Sequence, residues 1–175
     1  MQDGTDDFAT ESITADSKSN ELKEQHRTWR EGERGFSFDK YFAPYFQQAN
    51  LITITDPDIS SPEQMQNLME LLETIANAKS PEAEMAVHVI TVDDGFINEQ
   101  QQTDFENIAA ACVDVGIQLT WEFVVQQAIA NRQIVMDNGW KIVLDNGLDV
   151  FQRKDVTDRF NLTSRLPQYR LCKTF

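Results

Sequence analysis

Arg132 lies in a short segment whose residue types and spacing suit phosphate chemistry, Ala130-Asn131-Arg132-Gln133-Ile134-Val135-Met136-Asp137. A guanidinium is permanently charged and its fork of N–H donors matches phosphate oxygens, so Arg132 can hold an anion. Phosphoryl transfer by covalent catalysis also needs a nucleophile, and the methyl group of Ala130 can neither attack phosphorus nor carry a proton. The segment therefore predicts an anion that is bound and not cleaved. The alternative is an ordinary strand that ends in a turn at Asp137.

This spacing resembles the phospholipase D signature, His-x-Lys-x-x-x-x-Asp, with Ala130 at the histidine position and Arg132 at the lysine position. Further segments, in their order and spacing, resemble the phospholipase-D-like C-terminal domain of MIT-domain-containing proteins, the MIT_C family, and its bacterial members. The resemblance covers about residues 36–175. The segments that carry it are residues 38–46, 51–59, 118–123, 137–142 and 146–151, together with a closing Arg170-Leu171-Cys172-Lys173.

Two departures from the family pattern concern the signature and the end of the chain. The family has a histidine followed by an acidic residue and an arginine, so Ala130 is either natural decay or an engineered change. The family also runs several residues past the position of Phe175, so the last strand is expected to be short. The sequence has no recognisable MIT three-helix module.

The resemblance implies a fold and an assembly. The fold is a phospholipase-D-like α-β-α sandwich of the α/β class, with a mixed sheet made of a parallel core and antiparallel hairpin strands. Phospholipase D enzymes build one active site from two signatures, and this sequence contains a single copy. The implied assembly is a two-fold homodimer with both copies of Arg132 facing a shared cleft. A monomer in which the motif is only structural is the alternative.

The resemblance also implies the residues of the ligand site. Asn131 would donate a hydrogen bond to an oxyanion, and Lys141 would add a second positive charge. Asp137 would orient Arg132, or would instead serve the hairpin turn. The remaining members of the predicted ligand-binding set are Glu122, as an ion-pair partner of Arg132, and Arg170 of the closing motif.

Composition limits the classes of function. The net charge of −14 argues against a general attraction to nucleic acid or to anionic membranes. Residues 36–128 carry 15 acidic and two basic side chains, whereas residues 129–175 carry five acidic and eight basic ones. The only basic part of the chain therefore contains the signature, although a solvated surface produces such an imbalance by chance as well.

The cysteines and histidines predict neither a metal site nor a disulfide. Cys112 and Cys172 each lie in an apolar pattern, as expected for two buried thiols in a reducing compartment. His26 and His88 are too few and too scattered for zinc, and His88 reads as a strand histidine with satisfied hydrogen bonds. No apolar run is long enough for a membrane span, so we expect a soluble cytoplasmic protein without a cofactor.

Hydrophobic periodicity predicts alternating strands and helices followed by hairpins. Strand–helix–strand–helix–strand spacing implies right-handed crossovers and parallel pairing. Asp137-Asn138-Gly139 and Asp145-Asn146-Gly147 are both hairpin-turn signals. The predicted elements are an aromatic helix over residues 38–46, a central strand over 51–55, a helix over 61–79, a strand over 85–92, a helix over 98–115, and strands over 117–124, 133–136 and 140–144.

The domain prediction is a flexible acidic N-terminal arm over residues 1–35 and a phospholipase-D-like domain over residues 36–175. The arm is polar and lacks regular apolar spacing, although residues 22–34 are compatible with a helix. Trp29 is either an anchor for a neighbouring subunit or domain, or a loosely packed surface residue.

Three hypotheses of function follow. The first is a non-catalytic dimeric domain that acts as an adaptor or accessory module and binds a phosphate-bearing ligand, either a lipid headgroup or nucleic acid, or a protein partner. The second is a nuclease or phospholipase that has been inactivated by Ala130. The third is a purely structural dimerisation module.

Overall fold

A computed structural model describes residues 21–30, 33–93, 95, 98–151 and 171–172. Seven strands and four α-helices, with one short 3₁₀ helix at Gln126–Ala128, make up this part of the chain. In chain order they are β1 (Glu33–Arg34), α1 (Phe38–Tyr41), α2 (Ala43–Phe46), β2 (Leu51–Thr55), α3 (Pro62–Ala78), β3 (Met85–Val92), α4 (Asn98–Val113), β4 (Ile117–Val124), β5 (Gln133–Met136), β6 (Lys141–Val143) and β7 (Leu171–Cys172).

Five strands form the central sheet in the order β4-β3-β2-β5-β6. Strands β2, β3 and β4 are parallel, whereas β5 runs antiparallel to both β2 and β6. The predicted parallel core with antiparallel hairpin strands is therefore confirmed, and so is the central position of β2. The fold is a mixed α/β sandwich.

Local sequence explains where α3 begins. Ser61 accepts a hydrogen bond from the backbone N–H of Gln64, and the Gln64 side chain accepts one from the N–H of Ser61. This capping box satisfies donors that the first helical turn leaves free, and Pro62 at the start of the helix has no N–H to satisfy. The helix then buries an apolar face that includes Leu68, Leu71 and Ile75.

The turn between β5 and β6 has the chemistry predicted for it. The Asn138 side chain accepts a hydrogen bond from the backbone N–H of Trp140, and Gly139 adopts a φ of +94°. The second predicted hairpin, at residues 145–147, is wrong, because within the described residues the turn there leads to no strand that pairs with β6. The predicted aromatic helix is divided into α1 and α2, with Pro44 at the start of the second.

The two faces of the central sheet differ in burial. One face is buried and carries Ile52, Ile54, Val87, Val89 and Ile134. The chain passes from β2 through α3 to β3 and then through α4 to β4, and each new parallel strand joins the same edge of the sheet. Right-handed crossovers therefore place α3 and α4 on this same buried face. The alternate residues form the opposite face, and those on β2, β3 and β5 are half-buried or exposed in the described structure.

The segment before α1 packs against the body of the protein. Trp29 is only 3% exposed and makes edge-to-face contacts with Phe36 and Tyr41. The alternative of a loose surface residue is wrong for Trp29, which packs as an anchor on the neighbouring domain of its own chain. A helix over residues 22–34 is also wrong, since residues 21–30 are not helical and Glu33–Arg34 form β1, which pairs with β7. The domain boundary itself stays a prediction.

Candidate functional site

Arg132 lies where the end of β2 meets the start of β5. These strands are antiparallel, so the Asp56-Pro57-Asp58 turn that follows β2 comes close to the residues that precede β5. Arg132 Nη2 is 2.6 Å from Asp58 Oδ2, and Arg132 Nε is 3.8 Å from Asp56 Oδ1. The guanidinium is therefore held between two carboxylates of its own chain.

Asp56 is the buried member of this cluster, with 2% of its surface exposed. Its Oδ2 accepts a hydrogen bond of 2.6 Å from the Leu148 N–H, and its Oδ1 accepts one of 3.0 Å from the Asp58 N–H. Burial raises the pKa of Asp56, and these hydrogen bonds and the charge of Arg132 oppose that rise. We call Asp56, Asp58 and Arg132, with the Leu148 N–H, the arginine clasp.

Gly147 allows the clasp to close. A Cβ atom built at this position would overlap the Asp56 carboxylate, and the residue has a φ of +60°. Glycine is therefore needed for space and for conformation. The clasp joins the ends of β2 and β5 to the turn at residues 145–148.

The positive charge of Arg132 is largely balanced by the carboxylates of the clasp. The hydrogen bond to Asp58 is the main cause that raises the pKa of Arg132, so the guanidinium stays charged. Two carboxylates nevertheless surround one cation. Arg132 Nε is buried and has no hydrogen-bond partner among the described residues, while 35% of the Arg132 side chain is exposed. Only the exposed part of the guanidinium can meet an external oxygen, and the two carboxylates deprive the clasp of a strong positive field.

Of the predicted set, Ala130 and Asn131 lie next to Arg132 and are exposed. Lys141 is elsewhere. It pairs with Val135 on the exposed face of the sheet, whereas Arg132 precedes Ile134 by two residues and shares the buried face. Three residues of the hairpin, or about 10 Å, separate the two cations along the strand direction. The structure therefore does not bring Lys141 to Arg132.

The predicted ion pair between Glu122 and Arg132 is wrong. Glu122 lies on β4, an edge of the central sheet, and its carboxylate is 3.6 Å from His88 Nε2. His88 Nδ1 is also hydrogen-bonded to the Thr120 hydroxyl at 2.8 Å, so His88 is the satisfied strand histidine that its sequence predicts. Two strands, β3 and β2, stand between β4 and β5.

Asp137 lies at the far end of β5 from Arg132 and does not orient it. Its Oδ1 accepts a hydrogen bond of 2.9 Å from the Asn50 N–H, and this bond is the main cause that lowers the pKa of Asp137. Asp137 thus joins the β5–β6 turn to the residue before β2. Arg170, the last predicted site residue, lies outside the described residues.

Asp56 and Asp58 are not among the site residues that the sequence predicts. A signal was present, because the predicted order places an acidic turn directly after the central strand. It was not sufficient, since the sequence does not state that β5 pairs antiparallel with β2. That pairing alone brings the acidic turn to Arg132.

A cavity of about 930 Å³ lies between residues 24–29 and the β5–β6 hairpin. Half-buried aromatic side chains line it, and cationic side chains come from both walls. The lining residues include Arg27, Tyr41, Tyr45, Trp140 and Lys141. In the described part of the chain, no three His, Cys, Asp or Glu side chains are grouped as a metal site, and no helix has the length and apolarity for a bilayer span.

Comparison with known proteins identifies the family. The phospholipase D-like domain at the C-terminus of MIT matches residues 35–175 of this chain. The chain belongs to this family. Mouse MIT domain-containing protein 1 is 30% identical over 134 residues, which cover 75% of this chain. As a member of the MIT C-terminal phospholipase D-like family, the chain spans about half of that relative, since the match covers 51% of the mouse protein.

Proposed function

We propose that this phospholipase D-like domain is a non-catalytic adaptor module that binds a phosphate-bearing ligand without cleaving it. The observation that supports this proposal is the state of the signature segment. An exposed alanine stands at the nucleophile position, and the arginine two residues later is already paired with Asp58. A site without a nucleophile, whose cation is balanced by carboxylates, cannot stabilise the charge that develops on a reacting phosphoryl group.

The same geometry leaves room for binding. The Asp58 side chain is 51% exposed, and ion pairs of this kind contribute only about 0–1 kcal/mol of stability. A phosphate that makes two charge-assisted hydrogen bonds can therefore compete with Asp58. Asp56 opposes such a ligand by its charge, so the affinity of Arg132 for phosphate is modest. Cations outside the clasp, Lys141 among them, are the other groups available to a phosphate.

A screen of hydrolysis and binding tests this proposal. The chain is incubated without metal with single-stranded DNA, RNA, phosphoinositide vesicles and a chromogenic phosphodiester. We expect no turnover above background on any of them, and retention of at least one phosphate-bearing probe in a parallel binding assay. Turnover of any substrate contradicts the non-catalytic function. Retention of none contradicts the phosphate ligand and leaves a protein partner as the ligand of the adaptor.

We also propose that the module is a two-fold homodimer in which the signature segments of two copies face each other. The single signature copy and the family membership support this proposal, and Ala130 and Asn131 are exposed as a shared cleft requires. Light scattering should give the mass of a dimer. Ala130→Glu should weaken the dimer, whereas Val113→Glu, at an exposed valine that ends α4, should not. A monomer at tens of micromolar, or equal behaviour of the two variants, contradicts the dimer.

A further inference from the structure

The cavity between residues 24–29 and the β5–β6 hairpin has walls that are fixed at several points. The Tyr45 hydroxyl donates a 2.7 Å hydrogen bond to the Lys23 carbonyl, which fastens the N-terminal segment to α2. Asn138 Nδ2 donates to the Tyr45 and Gln47 carbonyls, which fastens the hairpin to the same helix. The cavity is therefore a preformed space of the size that small ligands occupy.

Arg27 is a positioned cation in one wall of this cavity. Its guanidinium carbon lies 4.3 Å from the centre of the Trp29 ring and 4.7 Å from the centre of the Tyr41 ring. Contact with ring faces holds a guanidinium in place and leaves its in-plane N–H donors free. Within the described residues the Arg27 side chain has neither a hydrogen bond nor an ion pair. These donors are available to a ligand.

Lys141 supplies a second cation from the opposite wall. It is exposed on β6, and in the described part of the chain it forms no ion pair. Glu24 and Asp145 also line the cavity, so its two formal positive charges are balanced by two negative ones. In a protein with a net charge of −14, a neutral cavity is a region of low repulsion for an anion. The clasp, by contrast, places two carboxylates around Arg132.

The aromatic side chains of the cavity favour a ligand that carries a planar ring as well as a phosphate. Tyr45 and Trp140 make an edge-to-face contact at 4.9 Å, and both rings remain partly exposed. The Tyr41 ring is already in contact with Phe36 and Arg27. Rings that stay accessible inside a cavity can stack on a planar heterocycle. Inositol headgroups and inorganic phosphate lack such a plane.

We propose that this cavity binds a mononucleotide, with its base stacked on the Trp140 ring beside Tyr45 and its phosphate held by Arg27 and Lys141. The proposal rests on the proposed function, because it names the site and the chemical class of the phosphate-bearing ligand. It assigns that ligand to the cavity and not to the arginine clasp.

The experiment is a titration of the full chain with adenosine monophosphate, followed by calorimetry and by tryptophan fluorescence. Arg27→Gln and Lys141→Gln should each weaken binding about tenfold, as expected for the loss of one charge-assisted hydrogen bond. Trp140→Leu should weaken it by a similar factor through lost stacking. The matched controls Arg30→Gln, at an exposed cation, and Lys79→Gln, at a half-buried one, lie outside the cavity and should bind as the parent does. Circular dichroism establishes that each variant is folded.

Further ligands and one further variant separate this proposal from the proposed function. Adenosine, inositol monophosphate and inorganic phosphate should each bind at least about tenfold more weakly than adenosine monophosphate, since each lacks the phosphate or the planar ring. Equal affinity for inositol monophosphate, with no effect of Trp140→Leu, overturns the nucleotide assignment in favour of a headgroup. Asp58→Asn raises phosphate affinity only if the clasp is the site. If Asp58→Asn raises phosphate affinity and Arg27→Gln leaves it unchanged, the cavity is not the binding site and the proposed function stands. Turnover of a phosphodiester contradicts the proposed function alone.

Discussion

Replacing Gly147 by alanine should destabilise the protein by breaking the arginine clasp. The new methyl group would overlap the Asp56 carboxylate. Asp56 cannot rotate away without losing its hydrogen bonds to the Leu148 and Asp58 N–H groups, and its burial excludes water as a substitute. The substitution therefore acts through Asp56 and not only through the backbone of residue 147.

The magnitude follows from two contributions. A left-handed conformation at a residue with a Cβ atom costs roughly 1–2 kcal/mol. Loss of a hydrogen bond to a charged group costs about 1.5–3 kcal/mol more. We therefore expect the free energy of unfolding to fall by roughly 3–5 kcal/mol, which corresponds to a decrease in Tm of about 6–20 °C for a chain of this size.

Urea and thermal unfolding of Gly147→Ala and Gly139→Ala measure this effect. Gly139 also has a positive φ, of +94°, but a Cβ atom there would meet no atom within 4 Å. Gly139→Ala therefore carries the backbone cost alone. If the two variants lose the same stability, the contact between residue 147 and Asp56 has no energetic importance and the account of the clasp is refuted.

Three further predictions concern a helix cap, a buried tryptophan and a titrating carboxylate. Ser61→Ala should lower the free energy of unfolding by about 1 kcal/mol in urea titrations, because it removes half of the capping box, and Ser60→Ala should have a smaller effect. Trp29→Ala should lower the free energy of unfolding by roughly 3–5 kcal/mol, the usual effect of truncating a buried aromatic residue. A near-neutral result would mean that the N-terminal segment does not pack on the body in solution. The pKa of Asp137 is lowered from 3.8, so the stability that its carboxylate contributes is complete above that value and is lost as the pH falls through its folded-state pKa. Asp137→Asn should therefore lose less stability than the parent on acidification below about pH 4. An equal loss would contradict the hydrogen bond from Asn50.

Much of the fold could be predicted because its elements are specified locally. Strands β2, β3 and β4 have the predicted bounds, and α3 begins at a capping box that the sequence displays. The errors arose where local signals compete with packing. Asp145-Asn146-Gly147 has the composition of a hairpin turn, but its glycine is required by the Asp56 carboxylate. Polar residues 21–30 gave no sign that Trp29 is buried.

The candidate site was less predictable because its contacts join distant parts of the chain. Arg132 meets Asp58 across 74 residues, and Asp56 meets Leu148 across 92. Neither contact has a local signature. Alternate residues of a strand point to opposite faces of the sheet, so a shift of one residue in the strand pairing moves a side chain to the other face. The observed pairing places Lys141 and Arg132 on opposite faces. Residue types identified candidates, but strand pairing decided which of them meet.

We propose that the signature segment of this family member performs no catalysis, because a histidine is absent from the nucleophile position and Arg132 is held in the clasp. The most direct test restores the nucleophile in Ala130→His and searches by intact mass for a phosphoryl adduct on that histidine after incubation with a chromogenic phosphodiester. We predict no adduct and no turnover, since Arg132 stays paired with Asp58 and Asp56. A trapped phospho-histidine with metal-independent turnover would contradict the claim and would show an active phosphodiesterase site that lacks only one residue.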